Sequence, residues 1–591
     1  MSPESQKGVL WWLRVLLLQL SLLAPVSSCP GKCHCMQDYY VYCDAKNITH
    51  AHLYDLIRSM PKEARYLDLS HNHLDIVPGL IFQRLPSLVQ LNLAHNVIAN
   101  LSIGSFEGLD NLHRLDLQAN QIGRVSRNTL ASLGNLEELH LESNGIRTIS
   151  ESALSNLVNL KTLYLQNNSL RELCHGAFTQ LKAIEVLDLS GNSISCLGEL
   201  TFSGLTRLRQ LKLGHNSIGR VAPMTFSGLV SLQVVELDAN NIEHITAQSF
   251  DKSKELLELS LKNNKIISLS QENFAGMGRL RKLYLDSNQI GLIGSGTFSD
   301  LLELRNLSLS GNKLSQLKRS TFAGAYQLSQ LHLQNNEISG ISTGSFDPFR
   351  EALYVLSLTG NLLRSIKLGM FRRMRYLQYL NLAQNSIASI DQKSLDELPS
   401  LLELDLSQNN LTSFDVGIIK RLSSLEQLRL HGNPLSELRG LKFDKFASLE
   451  YVTLNLTVSN ITETSAAVSW PYTEGDQIYW SLSVQCLQEP LSGCPYSQQP
   501  EYLAPYKTEV NIENLSPSSS YYVCVIPSFV FSRADVQQCS EVRTKASYSA
   551  TKKSGSALPS SSASQCSPLI SHTLSLWTLF CVSYHWRDYL P

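Results

Sequence analysis

The chain has 591 residues, more than a single compact core organises, so several domains or a repeated unit must account for it. Lysine and arginine total 50 against 51 aspartates and glutamates, a formal net charge of -1, so no global basic field is present to hold a phosphate backbone and nucleic acid is not an expected partner. A hydrophobic fraction of 43% supplies a sizeable core and excludes a wholly disordered chain.

At the N-terminus, Lys7 and Arg14 precede or flank the apolar run Val15–Leu23, and the small residues Val26, Ser27 and Ser28 stand before Cys29. This is the pattern of a secretory signal over residues 1–28, because the run falls short of the ~20 apolar residues that an uncleaved anchor needs. Export implies an oxidising compartment, so the 12 cysteines are expected to form disulfides rather than metal or redox centres. Cys29, Cys33, Cys35 and Cys43 follow at once as C-x3-C-x-C-x7-C, for which sequence leaves three pairings open.

From Leu67 onward the motif L-x-L-x-x-N-x-[LI] recurs every 24 residues, with asparagines at Asn72, Asn96, Asn120 and so on to Asn336, then, after one step of 25, from Asn361 to Asn433. The extra residue falls near Asp347-Pro348-Phe349-Arg350, away from the strand motif. In one unit, Leu91 and Leu93 alternate as a short strand with one apolar face, while Phe106, Leu109 and Leu112 return to close the core. A single turn cannot bury its own apolar face, so neighbouring turns must stack. The repeated asparagine stands where the strand turns away, and its amide is suited to bond the backbone of its own and the adjacent coil.

These sixteen units resemble leucine-rich repeats. The resemblance implies an α/β solenoid, a horseshoe with a parallel β-sheet on the inner side and helical or 3₁₀ turns on the outer. The cysteine cluster, with residues 29–60, resembles the N-terminal cap of extracellular members, ahead of an array over 61–450. The family's cysteine-bearing C-terminal cap has no counterpart, since residues 434–485 hold no cysteine. The end of the array is therefore expected to be covered by the following domain, packed on residues 435–455. Cys174 and Cys196 lie in adjacent coils and are read as a disulfide, although their offset is imperfect.

Over residues 451–546 the period stops and short β-type runs appear, among them Ala466–Trp470, Ile478–Val484 and Tyr521–Val525. Trp470 and the spacing Leu515-x-Pro517-x-x-x-Tyr521 resemble the fibronectin type III pattern, which implies an all-β sandwich with both aromatics in its core. Cys524 with Cys539, and Cys486 with Cys494, are the pairs this reading implies. Residues 547–591 form a Ser-rich linker and a weakly hydrophobic tail, open to three readings: a GPI signal, a weak membrane segment or a soluble end.

Sequons stand at Asn47, Asn100, Asn167, Asn306, Asn410, Asn455, Asn460 and Asn514, and Asn306 occupies a strand position where a glycan would obstruct the inner face. No nucleotide loop, His-Glu-x-x-His or nucleophile elbow is present. The histidines His140, His215, His332 and His431 belong to different coils, so neither cofactor nor metal is expected. What remains is recognition by surface. Side chains flanking the inward leucines point to the concave face, which gives His140, Glu142, Tyr164, Lys212, Glu236, Asp238, Lys262, Lys282, Tyr284 and Asp286 as candidates for contact with a protein ligand. The resemblance to neuronal leucine-rich repeat adhesion proteins and to the Toll-like receptor interactor with leucine-rich repeats implies an extracellular binding scaffold, secreted or on the outer cell surface and not an enzyme. The alternative reading is a secreted matrix organiser of the small leucine-rich proteoglycan type. Membrane association would run through the tail or a partner.

Overall fold

A computed structural model of the chain describes residues 29–439 apart from 38, 127, 151–152, 174–177, 199–200, 248, 251–252 and 436, and beyond these 451–453, 457–462, 465–469, 479–486, 501–503, 509–513, 515, 519–528, 535–536 and 538–545. The signal segment, Trp470, Cys174, Cys494, Asn455, Asn514 and the tail lie outside the described residues.

Each L-x-L motif forms a three-residue strand. In Glu138–His140, Leu139 is buried while Glu138 and His140 stay partly exposed. Because the units keep one length apart from the single 25-residue step, each strand pairs in parallel with its neighbours at matching positions, as in Leu115 with Leu139, Leu139 with Leu163, and Leu163 with Leu187. The result is a 20-stranded sheet with the inward leucines in line, over one continuous apolar core from Val41 to Leu435.

Two ladders tie the coils together. Asn144 donates from Nδ2 to the carbonyls of Leu141 and Glu142 in its own coil and Leu117 in the previous one, and its Oδ1 accepts the Ile122 N–H at 3.1 Å. Asn96, Asn240 and Asn361 repeat the arrangement, so the amide satisfies the backbone groups freed where the strand ends. The residue before each of these asparagines is left-handed, as at Ser143 (φ 54°), Asn167 (57°) and Gly432 (73°). On the return side phenylalanines stack coil upon coil, Phe202 on Phe226 at 6.3 Å and Phe298 on Phe322 at 6.2 Å between ring centroids. The outer side carries two-residue parallel strand pairs, such as Ile76–Val77 with Asn100–Leu101, and short 3₁₀ turns. The extra residue of the 25-residue step is absorbed there. Asp347–Phe349 is a 3₁₀ turn that buries Phe349 against Phe322.

The N-terminal cap closes through Cys29–Cys35 and Cys33–Cys43. Its strand His34–Met36 runs antiparallel to Tyr40–Tyr42, which starts the parallel sheet against Tyr66–Asp68. The helix His50–Arg58 buries Leu53, Leu56 and Ile57 against the first coil. At the other end, Tyr451–Thr453 continues the sheet beyond Gln427–Arg429, and Asp535–Val536 pairs on its far side. The array thus ends on a strand donated from the later part of the chain.

That later part contains antiparallel sheets of three strands (Thr457–Ser459, Ala466–Ser469, Glu509–Ile512) and four strands (Glu501–Leu503, Tyr479–Cys486, Ser520–Ser528, Gln538–Arg543). Val468, Ile512, Val484, Val523 and Tyr521 share one buried cluster. Cys524 is disulfide-bonded, and the residue directly across from it is Cys539. The bridge expected between Cys174 and Cys196 does not form: Cys196 is an exposed free thiol. The two positions are 22 residues apart in a stack whose equivalent positions recur every 24, an offset of about 7 Å of extended chain.

Candidate functional site on the concave sheet

Residues on either side of each inward leucine face the inner surface of the array. At its N-terminal end this surface is aromatic. Tyr40 and Tyr42 of the cap stand opposite Tyr66 and Asp68, with the Tyr66 ring 6.3 Å from Tyr40 and 5.2 Å from Tyr42. The Tyr66 hydroxyl donates to Asp68 at 3.0 Å, and burial followed by the Asp68 charge pushes the phenol up to about 12. Met36 and Tyr40 are exposed beside it.

Further along, Glu138, His140 and Glu142 occupy alternate positions and share the face. His140 Nε2 lies 2.8 Å from Glu138 and Nδ1 3.0 Å from Glu142. A carboxylate on each nitrogen favours the doubly protonated imidazolium over the neutral ring. Burial alone would lower its pKa, but the bonds and charges of Glu142 and Glu138 outweigh burial and hold it above its ordinary value. Tyr164 stacks on the ring at 4.6 Å, and Arg114 pairs with Glu138 at 2.6 Å. Burial raises the Asp116 carboxyl, and one oxygen of Glu142 is buried without a hydrogen-bond partner.

A second cluster lies five strands on, roughly 24 Å along the sheet. Lys262 Nζ sits 4.2 Å above the Tyr284 ring, and Lys282 pairs with Glu258 at 3.2 Å. Asp238 accepts from the Ser260 hydroxyl and the Lys262 N–H, and Asp286 from Ser308 and the Ser310 N–H. These two carboxylates bind the next coil to their own. Between the clusters, Lys212 approaches Asp188 at 3.9 Å and Gln210 donates to Glu236 at 3.3 Å. The ten residues singled out in the sequence therefore form two groups with a bridge of paired side chains between them, rather than one site.

Tyr40, Tyr42, Tyr66 and Asp116 belong to the same surface and escaped the sequence reading. The signal was present for Tyr66 and Asp116, which flank Leu67 and Leu115 in the motif itself. Tyr40 and Tyr42 precede the first period and are placed by the cap. In the first six coils, Asp68, Asp116, Glu138, Glu142 and Asp188 are set against Arg114 and His140, with Lys212 of the next coil beside Asp188, whereas later lysines and Arg429 offset the acids more closely.

Asn47, Asn100, Asn167, Asn410 and Asn460 are exposed. Asn306 lies in a sheet strand, half-buried, with Nδ2 donating to Gln330 at 2.9 Å. Among the described residues no group of three or more His, Cys, Asp or Glu side chains could hold a metal ion, and no helix is long and apolar enough to cross a membrane. An open cleft of about 550 Å³ adjoins the 3₁₀ turn at Asp347, but Arg372 forks that carboxylate at 3.1 and 2.6 Å and Arg350 pairs with Glu351.

A family model described as leucine rich repeat matches residues 62–122, 110–170, 158–218, 192–242, 230–290, 302–351 and 351–411. The chain is similar to leucine-rich repeat-containing protein 3 of Danio rerio, 32% identical over 84 residues, covering 14% of this chain and 30% of that protein. The solved LRR protein of Leptospira interrogans is similar over 68% of this chain and 99% of its own, at 25% identity and a TM-score of 0.55. The Drosophila Toll–Spatzle complex is similar over 72% of this chain and 62% of that chain, at 21% identity and a TM-score of 0.58, a likeness of fold.

Proposed function

The chain belongs to the leucine-rich repeat family, and on that premise we propose that it is a non-enzymatic extracellular scaffold that recognises a protein ligand on its concave sheet. The observation that carries this reading is the pair of aromatic and charged clusters around Tyr164 and Tyr284. They occupy positions that the repeat leaves free, and they combine rigid apolar area with charge, the composition of binding hot spots. The N-terminal disulfides and the signal pattern over residues 1–28 support secretion, with the product free or held on the outer cell surface. Toll, similar in fold, is seen in complex with Spatzle. Residues 457–545 serve in this reading as a fibronectin type III-like sandwich, with Tyr521 in its core and the strand Asp535–Val536 covering the end of the array.

The test is binding of the secreted chain to cells that retain it. Tyr164→Ala combined with Tyr284→Ala should weaken binding at least ~10-fold, since each removes a large side chain from the contact area. Undiminished binding would move the site off the concave sheet.

A further inference from the structure

The two halves of the concave sheet differ in charge, and the N-terminal half pairs its excess of carboxylates with its tyrosines. Among the described residues Asp68 accepts only from neutral donors, the Tyr66 hydroxyl, the Ser70 N–H and Asn92. Asp116 accepts the Gln118 N–H at 3.1 Å, and Arg114, already paired with Glu138, stands 4.0 Å from it. Glu142 is nine-tenths buried and has one oxygen on His140, while its other oxygen has no donor. Asp68 and Asp116 thus have no close cation of their own and Glu142 has a free oxygen, beside tyrosine rings whose faces attract cations. The sequon in the sheet, Asn306, lies six coils beyond Tyr164, so a glycan there leaves this half open.

We propose that this half, from Tyr40 and Tyr66 through Asp68 and Asp116 to Tyr164, seats an extended arginine- or lysine-bearing segment of the protein partner. The inference rests on the concave-sheet reading and adds the partner's chemistry and its place on the array. Five strand spacings of ~4.8 Å separate the strand Tyr40–Tyr42 from Thr162–Tyr164, so the surface spans roughly 24 Å, the length of about seven residues of extended chain. Guanidinium or ammonium groups at alternate positions of such a segment would lie over tyrosine faces and reach the intervening carboxylates. His140, one strand short of the Tyr164 end, already fills its share of Glu138 and Glu142, so the basic groups of the segment sit chiefly toward Asp68 and Asp116.

The experiment uses the full secreted chain and two seven-residue peptides carrying a photo-crosslinker, one of alternating glycine and arginine and one of alternating glycine and glutamate. The arginine peptide should bind at least ~10-fold more tightly than its counterpart, lose affinity as salt rises, and crosslink to the strands between Tyr40 and Tyr164. Asp68→Asn with Asp116→Asn should reduce its affinity about 10-fold, and each substitution keeps the oxygen that accepts the local backbone N–H. The salt series on the unaltered chain reads the same charge dependence without a substitution. Equal crosslinking of both peptides to the concave strands would overturn the basic-segment inference while leaving the concave-sheet reading standing. Crosslinks confined to the outer side or to residues 451–545 would overturn the inference and count against that reading as well.

Discussion

The inner and outer layers of each strand obey different rules. Facing the core, Leu115, Leu139, Leu163 and Leu187 repeat without variation, and the asparagine ladder behind them makes the same bonds in coil after coil. On the other face of the same strands Arg114, Glu138, Thr162 and Val186 stand in register and share no chemistry. The layer that is uniform holds the coils together, because any departure would leave an apolar gap between coils or an unpaired backbone N–H in the preceding one. The layer that varies is free to be a surface, and its tyrosines, His140 and acids are where specificity can reside.

Breaking the uniform layer should therefore be costly and nonspecific. Phe226→Ala removes a ring stacked between Phe202 and Phe250 and should lower stability by about 3–5 kcal/mol in chemical denaturation. Asn240→Ala, which strands the Ile218 N–H and leaves the Leu213 carbonyl with Asn216 as its remaining side-chain donor, should cost about 2 kcal/mol. A change within the variable layer should act more gently and through pH. Since the folded pKa of His140 is raised, its stabilisation is fully present below the ordinary histidine value near ~6.5 and is lost as pH rises through the folded value. The parent chain should thus lose roughly a degree or two in Tm across that window, and His140→Gln should flatten the change. Smallest of all, Cys196→Ser should leave Tm unchanged within about a degree, since the thiol is exposed and unbridged. A Cys174–Cys196 peptide in a non-reducing digest would contradict that expectation.

What could be read from the sequence follows the same division. The strand leucines, the ladder asparagines, the return phenylalanines and the turn at Asp347–Phe349 were legible, because a fixed period assigns each residue type one structural duty. Tyr66 and Asp116 were equally legible by position, but nothing in the period marks which free positions matter. Tyr40 and Tyr42 enter the concave sheet through an antiparallel cap strand that precedes the period, and only the cap disulfides place them there. The pairing of Asp535–Val536 with Tyr451–Val452 joins two short segments far apart in the chain, where no local pattern records the contact. Cys174 and Cys196 misled because proximity in the stack depends on matching positions within the period, not on belonging to neighbouring coils.

The most direct test of the central claim, that the variable face of the sheet is the ligand surface, is a comparison of two engineered glycans. Thr162→Asn with Tyr164→Thr creates a sequon on the concave strand, and Val158→Thr creates one at Asn156 on the outer side, where Val158 is exposed. With both glycans confirmed by mass, the concave glycan should abolish binding of the secreted chain to its target cells and the outer glycan should leave it intact. Retained binding with the concave glycan, or loss with the outer one alone, would contradict the account.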